Sequence, residues 1–268
     1  MNYLDKLESE SIYIIREANW LYKNKLACLW SCGKDSTVLL HLIRKAFFGT
    51  IPFPIIHLDT TFKFKEIYQF RESYAKNWNF ELIVSKNQAA LDQEVNPKVG
   101  RDICCNALKT EALKQVIKKY GFKALLLAIR RDEHSIRAKE RYFSPRTKNF
   151  QWNYFEQPLE MWDQFYKLKD YSDDHARIHP VLGWREIDAW RYIKKERLPV
   201  TSLYFAKNGR RYRSIGCECC CQGVASNANT VDKIIKELEI TRTAERSGRS
   251  QDKEQPFMMQ KLRSLGYM

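Results

Sequence analysis

The sequence predicts an α/β protein: an open, mainly parallel twisted sheet with helices on both faces, followed by an irregular basic, Cys-containing C-terminal segment. Three observations carry this. Short apolar runs alternate with segments of helical period. Those runs are continuously apolar, as strands covered on both faces are. Several end in polar clusters (SCGKDS, DTT and RRDE), where ligands bind in open parallel sheets.

Taken in order, residues 10–23 form an amphipathic helix. LACLW is a short buried strand, SCGKDS a tight loop, and TVLLHLIRKAF the helix after it. PIIHLDTT is a strand ending at Asp59, Thr60 and Thr61. KEIYQFRESYAKNWN is a helix and FELIVSK a strand. Residues 87–105, with Pro97 and Gly100, are a loop. TEALKQVIKKYG is a helix stopped by Gly121, and KALLLAIRRDE a strand running into a charged turn. RTKNFQWNYFEQPLEMWDQFYKLKDYSDDHAR is an aromatic, charged excursion. HPVLGW returns to a strand-like run, and REIDAWRYIKKER is a helix ending before Pro199. The expected organisation is a nucleotide-binding domain over residues 1–205, with a basic Cys-cluster segment over 206–268 packed on it.

A chain of 268 residues can bury one sizeable core. No run of about 18 apolar residues predicts a membrane span, and the polar start MNYLDKLESE does not read as an export signal. A cytoplasmic, reducing setting follows, so the eight cysteines point to metal or redox chemistry rather than disulfides. The net charge of +14 favours a polyanionic partner, DNA among them, or a phosphorylated substrate. Arg210, Arg211 and Arg213, with Arg242, Arg246 and Arg249, could track a phosphate backbone.

SCGKDS lacks the first glycine and the length of a Walker A loop. Its physics is related. Backbone N–H groups of a tight turn at Gly33, aimed by a helix start, cradle an anion. Ser31 and Ser36 add hydroxyls and Lys34 a charge, while Asp35 either caps the helix or helps hold Mg²⁺. A polar turn capped by Ser or Asp is the bland alternative.

SCGKDS resembles the S-x-G-K-D-S loop of N-type ATP pyrophosphatases, the adenine-nucleotide α-hydrolase superfamily. PIIHLDTTFKF, ALKTEALKQVIKKYGF, RRDEHSIRAKER, PVLGWREIDAWRYI, GVASNANTVDKIIKEL and TRTAERSGRSQDKE resemble the small subunit of sulfate adenylyltransferase, in the phosphoadenosine-phosphosulfate reductase family. The resemblance runs from about residue 31 to the end. It implies cleavage of ATP between the α and β phosphates, with Lys34, Asp35, Arg130, Arg131, Arg137 and Mg²⁺ acting on the leaving pyrophosphate. Ser31, Gly33 and Ser36 would hold phosphate, and Asp59 and Thr60 resemble strand-end residues that face the nucleoside.

One departure stands out. Cys104 and Cys105 form a tandem pair, and Cys217 and Cys220 a C-x-x-C. Together they resemble the cluster ligands of adenylyl-sulfate reductases and imply a [4Fe–4S] cluster, although four thiolates also suit zinc. Cys219 or Cys221 could replace Cys220, and Cys28 reads as core. A sulfate-activation-like body with added cysteines resembles the ATP pyrophosphatase component of bacterial DNA phosphorothioation systems. That would bring DNA and a cysteine desulfurase as partners. The alternative is the sulfate adenylyltransferase small subunit with a GTPase partner. A tRNA thiolase-like enzyme and a non-catalytic DNA-binding module are further readings.

Overall fold

The computed structural model describes residues 2–155, 157, 159–160, 175–250 and 257–267. Helix α1 (Tyr3–Tyr22) is closed at its start by reciprocal bonds between Asn2 and Asp5. That capping box explains why the helix begins well before residue 10. Then come β1 (Leu26–Leu29), α2 (Lys34–Ala46), β2 (Ile55–Leu58), α3 (Lys65–Asn77), β3 (Leu82–Ser85), α4 (Gln88–Asp92) and α5 (Arg101–Cys105). A π-helical stretch (Asn106–Glu111) joins α5 to α6 (Ala112–Tyr120), which ends on Gly121 at φ 68°. The chain continues through β4 (Ala124–Leu126), β5 (Phe143–Arg146), β6 (His175–Ile178) and α7 (Glu186–Glu196). It closes with β7 (Arg210–Arg211), β8 (Val224–Ala225), α8 (Val231–Ile240) and α9 (Met258–Ser264). No helix among the described residues is long and apolar enough to cross a membrane.

Six strands form one sheet in the order β3-β2-β1-β4-β6-β5. Every neighbouring pair is parallel except β5–β6. The order reverses between β1 and β4, so a crevice opens beyond their carboxyl ends. Both faces are covered. Leu26 and Cys28 point into a core shared with α1, α2, α7 and α8, while Ala27 and Leu29 meet α6 on the other side. This is the physical basis of the unbroken apolar run LACL, all four residues of which are buried. Cys221, Ala228 and Ile234 from the C-terminal segment share the first core.

Four local expectations need correction. The loop expected over 87–105 contains α4 and α5, so Cys104 and Cys105 end a helical turn. The strand expected in KALLLAI is only Ala124–Leu126, and the charged turn expected after it is the 3-10 turn Arg131–Glu133. The strand expected in HPVLGW lies just before it, at His175–Ile178. Pro180 supplies no N–H to a ladder, and residues 180–183 form a turn. The aromatic excursion, residues 146–177, opens on the last residue of edge strand β5 and closes inside β6, while its residues 156, 158 and 161–174 lie outside the described residues.

Candidate active site

A cavity of about 150 Å³ sits in the crevice between β1 and β4. The β1–α2 turn forms one wall, through Ser31, Gly33, Lys34, Asp35 and Ser36. Cys32 takes φ +63°, a left-handed conformation that costs a non-glycine residue energy and that turns the chain sharply into α2. Its thiol is buried 3.7 Å from His57 Nδ1. Ser31 and Ser36 hydroxyls lie 3.1 Å apart, and Ser36 Oγ donates to the Gly33 carbonyl at 3.0 Å. The Tyr204 hydroxyl accepts the Lys34 N–H at 2.8 Å. The N-cap residue Gly33 has no side chain to cap α2, so apart from the Lys34 N–H taken by Tyr204 the first turn offers backbone N–H groups and the positive end of the helix dipole.

Charge in the cavity is strongly organised. Six cations line it, Lys34, Lys63, Lys109, Arg137, Arg246 and Arg249, against three carboxylates, Asp35, Glu133 and Glu245. Lys34 contacts Asp35 at 3.0 Å and also pairs with Glu245. Arg130, just behind the wall, pairs with Asp35, Glu245 and Asp132. The result is a closed ring of two cations alternating with two carboxylates. Burial alone would discharge Lys34, but Asp35 and Glu245 outweigh it and hold the ammonium well above the usual lysine range. Burial likewise opposes ionisation of Glu133, and Arg137 and Arg130 overcome it. Ligand oxygens of Asp35, Glu133 and Glu245 lie within 4.8 Å of one another. Hard oxygen donors at that spacing fit Mg²⁺, which takes one or two carboxylates and completes its shell with phosphate and water.

The predicted phosphate and catalytic residues Ser31, Gly33, Lys34, Asp35, Ser36 and Arg137 thus converge, with Arg130 one layer back. Arg131 does not join them. It is 36% exposed, pairs with Glu160 at 3.3 Å and lies over the Tyr142 ring. Asp59 and Thr60 do not line the cavity either. Asp59 accepts from Thr61 N and Tyr68 Oη and pairs with Lys86 and Arg71. Thr60 Oγ1 instead lies 3.2 Å from Cys217 Sγ. The sequence reading missed Lys63, Lys109, Tyr204, Glu245 and Tyr267. Lys109 carried a signal, being a lone cation in the apolar stretch after the tandem cysteines. Glu245 lies in TRTAERSGRSQDKE, one of the stretches that carry the family resemblance, but its partners are over 100 residues away.

The arginines expected to form a surface stripe mostly do not reach the surface. Arg211 is buried against Glu237, and Arg213 forks onto Glu186. Arg246 and Arg249 are buried and line the cavity. Only Arg210 and Arg242 of the six are exposed. Carboxylates on neighbouring elements, invisible in a one-dimensional count of charge, hold Arg211 and Arg213 inward.

Cys104, Cys105, Cys217 and Cys220 are all buried and come together from two distant parts of the chain. Cys104 senses the charge of the other three thiols. The bond from Glu218 N to Phe62 O at 2.8 Å and a bridge between Lys63 and Cys217 pin the later loop to the end of β2. Burial would raise the Cys217 thiol, but Lys109 and Lys63 bring it down to about 7. Cys221 is not placed to replace Cys220: its sulfur accepts from Arg249 Nη1 at 2.9 Å and Gly216 N at 3.1 Å. Cys219 is exposed, 3.8 Å from Cys220 Sγ. Among the described residues no three thiols lie within 4.8 Å of one another. Zinc bonds of about 2.3 Å demand closer sulfurs, whereas a cubane separates its four thiolates. Four buried thiols from two distant segments, beside Lys63 and Lys109, could hold a thiolate-bound metal group.

The profile of the phosphoadenosine phosphosulfate reductase domain matches residues 25–223. The chain is 39% identical to a sulfate adenylyltransferase subunit 2 from Trichlorobacter lovleyi, over 100% of this chain and 98% of the relative. It is 38% identical to the protein of that name from Sulfurimonas denitrificans over the same shares. Among solved structures, a phosphoadenylyl-sulfate reductase from Candida auris superposes with a TM-score of 0.56 at 18% identity, covering 83% of this chain and 96% of that one. FMN adenylyltransferase from Candida glabrata gives 0.56 at 17%, covering 92% and 87%. At such identities these two show the fold alone. The profile match and the full-length likeness to curated relatives establish that the chain belongs to the phosphoadenosine phosphosulfate reductase family.

Proposed function

We propose that this protein is an ATP-dependent adenylyltransferase that breaks ATP between the α and β phosphates and passes the adenylyl group to an oxyanion. The observation that carries it is the Ser31–Ser36 turn, which seats Lys34, Asp35, Ser36 and the open first turn of α2 in a cavity with six lining cations. An acceptor oxygen attacks the α phosphorus, the bond to the bridging oxygen breaks, and pyrophosphate leaves with the electron pair. Lys34 and Arg137, with the α2 N–H groups, stabilise that leaving charge. Mg²⁺ would be held by the Asp35, Glu133 and Glu245 carboxylates and would neutralise phosphate charge.

Sulfate is the acceptor best supported, because the curated relatives are named sulfate adenylyltransferase subunit 2. The word subunit also supports a partner chain, here the GTPase subunit. A second reading has a specific observation behind it. The buried cysteine quartet supports sulfur chemistry beyond sulfate activation, with a DNA backbone phosphate as acceptor and a cysteine desulfurase as sulfur source. The inward turn of the arginines weighs against a broad DNA-tracking surface, so sulfate stands first. ATP labelled at the α phosphate decides. With sulfate it should yield adenylyl sulfate and pyrophosphate, and labelled or thiolated DNA would favour the second reading. Release of ADP and orthophosphate overturns both.

A further inference from the structure

Glu245 bridges two buried cations. One oxygen of its carboxylate meets Lys34 Nζ and the other meets Arg130 Nη2. All three side chains are buried. Asp35, the other carboxylate touching both cations, belongs to the loop itself, whereas Glu245 arrives on the 3-10 segment Glu245–Gly248 from the far end of the chain.

We propose that Glu245 is a positioning residue that fills a phosphate seat on Lys34 and Arg130 while the site is empty, and that the nucleotide displaces it. This rests on the reading of the cavity as a triphosphate site. Lys34 and Arg130 share Asp35, so a second resident anion balances the second buried cation while the site is empty. A carboxylate and a phosphate present the same pair of oxygens to a guanidinium, so one substitutes for the other. Displacement has a consequence. Glu245 already lies within 4.8 Å of the Asp35 and Glu133 oxygens, so once parted from its cations it stands among like charges. A triphosphate arriving without a divalent cation must meet that repulsion, and one arriving with it does not. Glu245 therefore makes nucleotide binding depend on the metal.

Binding of α,β-methylene ATP, which cannot be cleaved at the relevant bond, tests this on the full chain by calorimetry, with EDTA and with Mg²⁺. Inorganic tripolyphosphate serves as a second probe without the nucleoside. Glu245→Gln removes the competing charge, so metal-free binding should tighten by about tenfold and the gain from Mg²⁺ should shrink by about the same factor. Glu245→Asp, one methylene shorter, cannot span both cations and should fall between; it carries the same comparison if Glu245→Gln does not fold. A purely structural role would weaken both conditions alike, and that result, or unchanged metal-free affinity, overturns the proposal. Failure of the unsubstituted protein to bind the analogue in either condition would instead remove the triphosphate reading itself.

Discussion

Gly216 is the position where one added methyl group has the most legible effect. A Cβ there would lie 2.2 Å from Arg249 Nη1, 2.4 Å from Nη2 and 2.7 Å from Cζ. Ordinary contact requires the guanidinium to retreat by about 1 Å. Arg249 is buried and donates from Nη1 to Cys221 Sγ at 2.9 Å, so the retreat breaks that bond inside a packed wall. Losing a hydrogen bond from a charged donor costs about 2 kcal/mol. For a chain of this size that lowers the melting temperature by roughly 4–8 °C. Gly216→Ala should show this by thermal denaturation monitored by circular dichroism. The decisive measurement is the same substitution in an Arg249→Ala background. With the guanidinium gone, the added methyl should cost less than about 0.5 kcal/mol, giving a strong coupling between the two positions. Equal destabilisation in both backgrounds would refute the contact as the cause.

Other outcomes follow from the same geometry. Asp35→Ala and Ser36→Ala should each slow pyrophosphate release about 10- to 1000-fold, read with α-labelled ATP; near-full activity would remove the loop from the chemistry. Cys105→Ser should lower the iron content of anaerobically purified protein, whereas Cys28→Ser, in the core of β1, should leave iron unchanged while destabilising by about 1–3 kcal/mol. Equal iron in both, or zinc in place of iron, would end the cluster assignment. His57, His175 and His179 are buried, and burial together with nearby cations holds each down to about 3 against an ordinary 6.5. Neutral in the fold, they take up protons on unfolding, so stability is full above about pH 6.5 and falls as pH drops below it. Each contributes a loss of about 1.4 kcal/mol by pH 5.5. A melting temperature that is flat between pH 7.5 and 5.5 would contradict this.

Much of the fold was written in local pattern. LACL is apolar at every position because β1 is covered on both faces, and Gly121 stops α6 because it alone there accepts φ 68° without a Cβ penalty. The Ser31–Ser36 turn was legible for a similar reason: Ser31, Gly33, Lys34, Asp35 and Ser36 lie close together in the chain, and a strand-to-helix turn leaves them few other arrangements. What the chain could not disclose by itself were pairings between distant charges. Arg246 and Arg249 looked like a basic surface run until the tertiary structure turned them into the cavity, where Arg246 feels the charge of Glu133 and Arg249 donates to Cys221 Sγ. Arg131 went the other way, toward Glu160 and the Tyr142 ring, although it directly follows Arg130 in the chain. Glu245 gained its place on Lys34 and Arg130 from a segment more than 100 residues away. A sequence shows which groups carry charge, but the energy of a charge depends on distance and dielectric, and those exist only once the chain has folded.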